Sequence, residues 1–448
     1  MYKYLEVLNN IEALIYKEMY KAGDKLPSIK KLSEYYGCNK STVIRALEEL
    51  EKNHMIYSIP KSGYYVVKSK NTLRDNMDHK LIWDFESSSP DPNIFPYLDF
   101  QHCINKAIDI YKNDLFIYGT PQGLPSLIKV VKKQLENYQV FAREENICIT
   151  SGVQQNLAIL TSMPFKNNKK TILIEQPGYH LFISYLETHN IPVKGITRTN
   201  KGIDLVKLES IFKNEDIKFF YTMPRFHNPL GTSYSEKEKK AIAALGKKYD
   251  VYIVEDDYLA DLDTNSKADP IYSYDSSEHV IYMKSYSKII FPGLRVGIAV
   301  LPQKLVENFS RYKTLMDVDT SMISQGALEI YIKSGMFNRH KEKIKESYLI
   351  RSKNLARSLR KNIEHSKNVV HYIDIKNPCI HRCIVLDERI NIEMVIRRLK
   401  KKSILVSTAS NNYLNEFKKE SLLKINVSNV KEENIEEGID IIFKEIEV

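Results

Sequence analysis

The chain has 448 residues, and at roughly 100–200 residues per domain it holds more than one domain. Hydrophobic residues make up 43% and charged residues 27%, a globular balance that excludes a mainly disordered or fibrous chain. The formal net charge is +10, which over this length is only a weak pointer to an anionic partner.

The opening MYKYLEVLNN lacks the uninterrupted apolar core of a signal peptide, and no stretch is long enough to span a bilayer. A cytoplasmic protein without membrane contact is expected. Of the five cysteines (Cys38, Cys103, Cys148, Cys379, Cys383), only the last two are close together, and their spacing fits neither a zinc site nor a redox pair. Buried or incidental thiols in a reducing compartment follow, and no metal site is expected.

The charge is unevenly placed. Residues 1–70 hold 11 Lys and 1 Arg against 7 Glu and 1 Asp, a net +4 in less than a sixth of the chain. SKNTLRDNMDHK (Ser69–Lys80) then has few apolar residues and no helical period, which reads as a linker. Beyond Leu81, apolar strands alternate with amphipathic helices, the pattern of an α/β domain. The expected division is a small head over 1–68, a linker over 69–82 and a large domain over 83–448.

In the head, Leu5, Leu8, Ile11, Ile15 and Met19 make one apolar stripe, and Gly23 suits the end of that helix. Leu26-Pro27-Ser28 stops the chain and offers Ser28 as N-cap of a short helix through Tyr36. Gly37 makes a turn, and Asn39 can cap a third helix to about Asn53, with Val43, Ala46, Leu47 and Leu50 inward. Lys40, Ser41, Thr42 and Arg45 crowd the opposite face near its start. Met55–Ile59 and Tyr64–Val67 read as strands joined by Pro60-Lys61-Ser62-Gly63. Three helices and a two-stranded wing form a winged helix-turn-helix, whose third helix fits the major groove of double-stranded DNA.

GDKLPSIKKLSEYYGCNKSTVIRALEEL also resembles the GntR family of bacterial regulators, a likeness covering nearly all of residues 5–67. The resemblance implies DNA contacts by Lys30, Lys40, Ser41, Thr42, Arg45 and Lys61. The family typically carries Arg where Lys30 stands and Gly where Lys61 stands. A lysine keeps the charge but loses the bidentate fork, so a phosphate contact survives better than a base contact.

In the large segment, VIYMKSYSKIIFPGLRVGIAV (Val280–Val300) sets Lys288 between apolar strands, after Ser285 and Ser287 and seven residues before Arg295. Hydroxyls with a guanidinium suit a phosphate, and a partly buried amine can form a Schiff base; together they suggest pyridoxal 5'-phosphate. Its pyridine nitrogen needs a carboxylate. VYIVEDDY (Val251–Tyr258) is an apolar strand ending in acids, on which Asp256 and Tyr258 share a face. ICITSGVQQNLAIL passes from strand through Ser151-Gly152 into a helix, which presents free amides at Val153 and Gln154 to an anion. FFYTMPRFHNPLG places Asn228 in a turn after a strand.

In their order and separation these segments resemble the fold-type I aminotransferases along most of residues 83–448. The resemblance implies an α/β transferase fold with a smaller C-terminal α/β subdomain. It makes Lys288 the Schiff-base lysine, Asp256 the partner of the pyridine nitrogen, and Asn228 and Tyr258 the groups at the phenolic oxygen. Tyr179 in EQPGY becomes the ring-stacking aromatic, and Ser285, Ser287, Arg295 and Gly152–Gln154 the phosphate cup. Tyr118 in IYGTPQGLPSLI resembles the tyrosine that reaches the partner subunit's phosphate, which implies a homodimer. One departure stands out: Lys424 in LLKINV occupies the place of the family's carboxylate-clamping arginine, offering a point charge instead of a fork. Arg225 is a second candidate for that role.

A GntR-type reader joined by a linker to an aminotransferase-like domain is similar to the MocR subfamily of regulators. That resemblance implies a pyridoxal-phosphate-dependent transcriptional regulator in which an amino compound reacting at Lys288 changes DNA binding. The alternative is a working aminotransferase with an accessory head.

Overall fold

The computed structural model describes residues 3–16, 19–21, 23–52, 55–59, 62–66, 82–91, 94–265, 268–372 and 378–448. It divides into two compact units, Met1–Leu81 and Ile82–Val448. The linker expected over 69–82, apart from Ile82, lies outside the described residues, as do Lys61 and Val67.

The head packs helices α1 (Lys3–Tyr16), α2 (Ile29–Tyr36) and α3 (Lys40–Lys52) against an antiparallel pair, β1 (Ile56–Ile59) and β2 (Gly63–Val66). Ser28 caps α2 by accepting from the Lys31 amide at 3.3 Å, and Gly37 leaves it in the left-handed region at φ 58°, where glycine carries no Cβ penalty. Val43, Ala46, Leu47 and Leu50 are fully buried against Val7, Ile11, Leu26, Leu32 and Ile56. The first helix differs from its expected extent. Its buried face is Val7, Leu8 and Ile11, while Met19 lies beyond the helix, 70% exposed. Gly23 instead donates its amide to the Val66 carbonyl at 2.9 Å, so the chain has already turned back to join the wing.

The large unit begins with a short strand β3 (Trp83–Asp84) and helices α4 (Tyr97–Tyr111) and α5 (Pro125–Glu136). Its main sheet comprises β4 (Ile147–Thr150), β5 (Thr171–Gln176), β6 (Val193–Thr199), β7 (Gly202–Ile203), β8 (Ile217–Thr222), β9 (Tyr252–Asp256), β10 (Val280–Ser285) and β11 (Gly297–Val300). Their order is β4-β11-β10-β9-β8-β5-β6-β7. Strands β10, β9, β8, β5 and β6 run parallel, and β11, β4 and β7 pair antiparallel at the flanks. The strands β4, β8, β9, β10 and β11 are buried along their whole length, as parallel sheets with covered faces require.

A 28-residue helix, Met336–Ile363, leads to the smaller C-terminal subdomain. It buries Phe337, His340, Ile344, Tyr348, Arg351, Leu355 and Leu359, a spacing of three and four that keeps one apolar face inward. There β12 (Val369–Tyr372), β13 (His381–Leu386), β14 (Ile404–Leu405), β15 (Ser407–Thr408) and β16 (Leu422–Asn426) follow in the chain. The antiparallel sheet runs β12-β13-β16-β15, while β14 pairs in parallel with β3. The first described residues after the linker are therefore built into the C-terminal subdomain.

Helices α6 (Val153–Ser162) and α7 (His180–Thr188) flank the ends of the parallel strands. Lys218 on β8 holds the far end of α6: its buried Nζ donates to the carbonyls of Leu160 (2.8 Å), Thr161 (2.8 Å) and Met163 (2.7 Å). These are carbonyls a helix end leaves without intrahelical partners. A Lys218→Met variant strands all three, and urea unfolding is expected to show a loss of about 1–3 kcal/mol.

Candidate functional site

Parallel α/β sheets bind ligands beyond the carboxyl ends of their strands, and a cavity of about 280 Å³ opens there. Asp256 stands at the end of β9, Ser285 at the end of β10, and Lys288 three residues beyond it. Gly152, Val153, Gln154, Tyr179, Asn228, Tyr258, Ser287 and Arg295 also line the cavity. The fold thus brings together residues spread over more than 140 positions.

On the floor, Asp256 is 4% exposed. Its Oδ2 accepts from the Tyr221 hydroxyl at 2.8 Å, while its Oδ1 is buried with no hydrogen-bond partner. Burial pushes this carboxyl up to about 7, against the Tyr221 bond and with a smaller upward push from Asp257. Lys288 donates to the carbonyl (2.9 Å) and hydroxyl (2.6 Å) of Ser88. Desolvation pushes its ammonium down to about 8, because a cation loses more than a neutral amine on leaving water.

At one end the backbone forms a tight cradle. Gly152 precedes α6 at φ 105°, and Arg295 donates to the Ser151 carbonyl at 2.7 Å. A Cβ on Gly152 would come within 3.1 Å of the Arg295 guanidinium, and one on Gly297 within 2.8 Å of the Gly152 Cα. Only glycines let these segments approach so closely. Ser285 and Ser287 stand beside them, the Ser287 amide donating to the Ser285 hydroxyl at 3.1 Å. Amides at a helix start, two hydroxyls and a guanidinium make an anion site.

Tyr258 donates its proton to the Phe226 carbonyl at 2.8 Å, and Asn228 lines the same cavity. Lys424, on β16, lines an adjoining pocket of about 100 Å³ that shares Ser88, His180, Asn228, Tyr258 and Lys288 with the first. Arg225 is not in either pocket. It is buried and paired with Asp257 at 2.8 Å and Asp263 at 3.0 Å, so its fork is committed to two carboxylates, which corrects the reading of it as an alternative clamp. Tyr118 lies outside the cavity, 81% exposed.

Four residues of the site carry no signal in the sequence. Ser88 stands in a serine run without period. Tyr221 sits in a strand buried on both faces, where alternation is silent. His180 lines both pockets directly after Tyr179. Asn412, in a loop 12 residues before Lys424, accepts from its Nζ at 3.1 Å.

In the head, Lys30, Lys40, Ser41 and Arg45 are exposed and Thr42 half-buried, with Lys40–Arg45 forming the start of α3. The Arg45 guanidinium lies 4.2 Å from the centre of the Tyr4 ring. On the wing, Tyr57 stacks on Tyr65 at 5.7 Å and Lys25 lies 5.9 Å from the Tyr65 ring.

A basic helix start on a winged head and an anion-cradling cavity with a desolvated lysine define a DNA-reading head joined to an aminotransferase-like unit. The chain belongs to the aminotransferase class I and II family, which it matches over residues 91–442, and residues 3–66 match the bacterial regulatory proteins of the gntR family, the fusion that marks the MocR subfamily. It is 55% identical over 446 residues, covering 100% of both chains, to the uncharacterized HTH-type transcriptional regulator YcxD of Bacillus subtilis (strain 168). It is 25% identical to the HTH-type transcriptional regulator NorG of Staphylococcus aureus over 76% of this chain and 83% of that one. Among solved structures, the kynurenine aminotransferase of Pyrococcus horikoshii shares the fold with a TM-score of 0.74 at 24% identity, over 84% of this chain and 92% of that one. A multiple substrate aminotransferase from Thermococcus profundus has a TM-score of 0.74 at 22% identity, over 85% and 94%. Among the described residues no helix is long and apolar enough to cross a membrane, and no group of His, Cys, Asp and Glu could hold a metal ion.

Proposed function

We propose that this chain is a transcriptional regulator whose head binds DNA and whose large unit holds pyridoxal 5'-phosphate and responds to a small amino compound. The carrying observation is the unpartnered Oδ1 of buried Asp256, in the same cavity as the desolvated Lys288 and the Gly152–Arg295 cradle. An acceptor buried without a donor is costly, and a protonated pyridine nitrogen would satisfy it. The cradle suits the phosphate, Tyr179 offers a ring face, and Asn228 donates toward the phenolic oxygen. When bound, the cofactor supplies an aldehyde reactive toward primary amines and an electron-withdrawing ring. Lys288 supplies the competing amine, held by Ser88, and Lys424 a cation for a ligand's anionic group. The lysine there, a point charge where aminotransferases use a fork, favours ligand sensing over efficient turnover.

The Lys288 amine reacts only when neutral. With its ammonium pushed down to about 8, capture of added pyridoxal phosphate, read by mass after borohydride reduction, is expected to rise about tenfold per pH unit below pH 8 and level off above it. A rise continuing to pH 10 would mark an unshifted amine. Lys288→Ala is expected to abolish both the adduct and the visible absorbance.

The DNA half rests on the exposed start of α3 and on relatives named as transcriptional regulators. Arg45→Ala is expected to weaken operator binding and to lower the slope of log affinity against log salt by about 1, as for one lost phosphate contact.

A homodimer is the third part of the reading. Phe116, Ile117 and Tyr118 are 66%, 62% and 81% exposed, and Leu315 and Val318 79% and 44%. The Gly119 amide donates to Asp319, so the two segments and their exposed apolar side chains lie side by side. Such a surface is unfavourable in water unless covered. Asp317, within it, accepts from the Ser151 hydroxyl at 2.7 Å, beside the cradle. A second copy seated here would bring its Tyr118 near the phosphate site. Light scattering is expected to give a dimer, and a Phe116→Asp, Leu315→Asp double variant a monomer.

A further inference from the structure

We infer that Asn412 is the positioning residue that turns Lys424 from a flexible point charge into a directed anion-binding group, and that ties this group to the loop carrying Tyr179. The inference rests on the proposed binding of an amino compound in this cavity and deepens it.

Lysine brings one charge on a long stem, and holding that stem in one geometry costs conformational freedom. Here the freedom is removed beforehand. Asn412 is fully buried. Its Oδ1 accepts from Lys424 Nζ at 3.1 Å, its Nδ2 donates to the Gly178 carbonyl at 2.7 Å, and its carbonyl accepts from the Gly178 amide at 2.7 Å. The reversed amide would set NH₂ against an ammonium and oxygen against a carbonyl, so a single orientation satisfies the network. Two further features show how closely this region is packed. Leu414 donates its amide to the Gln176 side chain at 2.7 Å, and Gly178 has no room for a Cβ, the Glu175 carbonyl lying 2.5 Å from its place. An ammonium has three donors. With one spent on Asn412, the others remain for a carboxylate on the ligand, without rupture of the Lys424–Asn412 bond.

Lys424 stands on the C-terminal sheet and Tyr179 at the start of α7 on the main sheet. Asn412 joins them through one side chain, so an anion gripped by Lys424 is held in fixed register with the ring face of Tyr179.

The test compares acids with their decarboxylated amines. The cofactor-loaded full chain is titrated by calorimetry and visible absorbance with L-alanine, L-leucine and L-lysine, and with ethylamine, 3-methylbutylamine and 1,5-diaminopentane. In Asn412→Ala the acid-to-amine affinity ratio is expected to fall about five- to tenfold, the scale of one lost preorganising contact. In Asn412→Asp it falls further, because the new carboxylate pairs with Lys424 and competes for it. In a Lys424→Met background, Asn412→Ala is expected to leave the ratio unchanged, since the residue acts through the lysine. Equal loss for acids and amines, or the same effect with and without Lys424, overturns the inference and leaves the proposed function standing. No response to any of the six by the unaltered protein overturns the proposed function and the inference with it.

Discussion

The large unit is organised around a carboxylate that has been taken out of water and only half satisfied. Asp256 ends a fully buried strand, receives one hydrogen bond from Tyr221 and keeps its other oxygen without a donor. Burying a carboxylate in this way costs several kcal/mol relative to water, and the surrounding sheet must hold it there. The compensation is a cavity whose opposite features answer it: a lysine with its charge weakened by burial, and a cradle of amides, hydroxyls and a guanidinium. A ligand with a basic ring nitrogen at one end and a phosphate at the other relieves both ends at once.

The neighbouring acid has the contrary fate. Asp257 points to the other side of the strand end, where it accepts from Arg225 at 2.8 Å and from the Tyr282 hydroxyl at 3.0 Å. One carboxylate is therefore ion-paired through its Oδ2, and the adjacent one lines the cavity and is left for a ligand. The pairing also removes Arg225 from the cavity, so the cation facing the adjoining pocket from the C-terminal sheet is Lys424.

The cavity and the start of the large unit are also connected. Strand β3 joins the C-terminal subdomain through β14, and Asn429 donates to Ser87 and Ser89 at 3.1 and 3.2 Å. Between those serines, Ser88 accepts twice from Lys288. The first residues after the linker are thus bonded both to the subdomain that carries Lys424 and to the amine that defines the site. A ligand shifts a protein only through different affinity for its states, and this segment is where either contact would be felt.

The sequence by itself determined the local elements and the chemistry of their ends. Capping by Ser28, the turn at Gly37, the inward face of α3 and the strand-to-turn signals around Asp256 and Lys288 are short-range effects, set by periodicity and backbone preference. The tertiary structure decided which of the candidate charges meet the cavity. It shut Arg225 away with Asp257 and Asp263, turned the Tyr258 hydroxyl to Phe226, and ended the first helix before Met19 so that Gly23 could join the wing. It also recruited Ser88, Tyr221 and Asn412, whose local sequence is mute because a hydrogen bond between residues 35 or 200 positions apart leaves no period in the chain. Residue type sets what a side chain can do; packing against distant strands sets whether its donors and charge are free to do it.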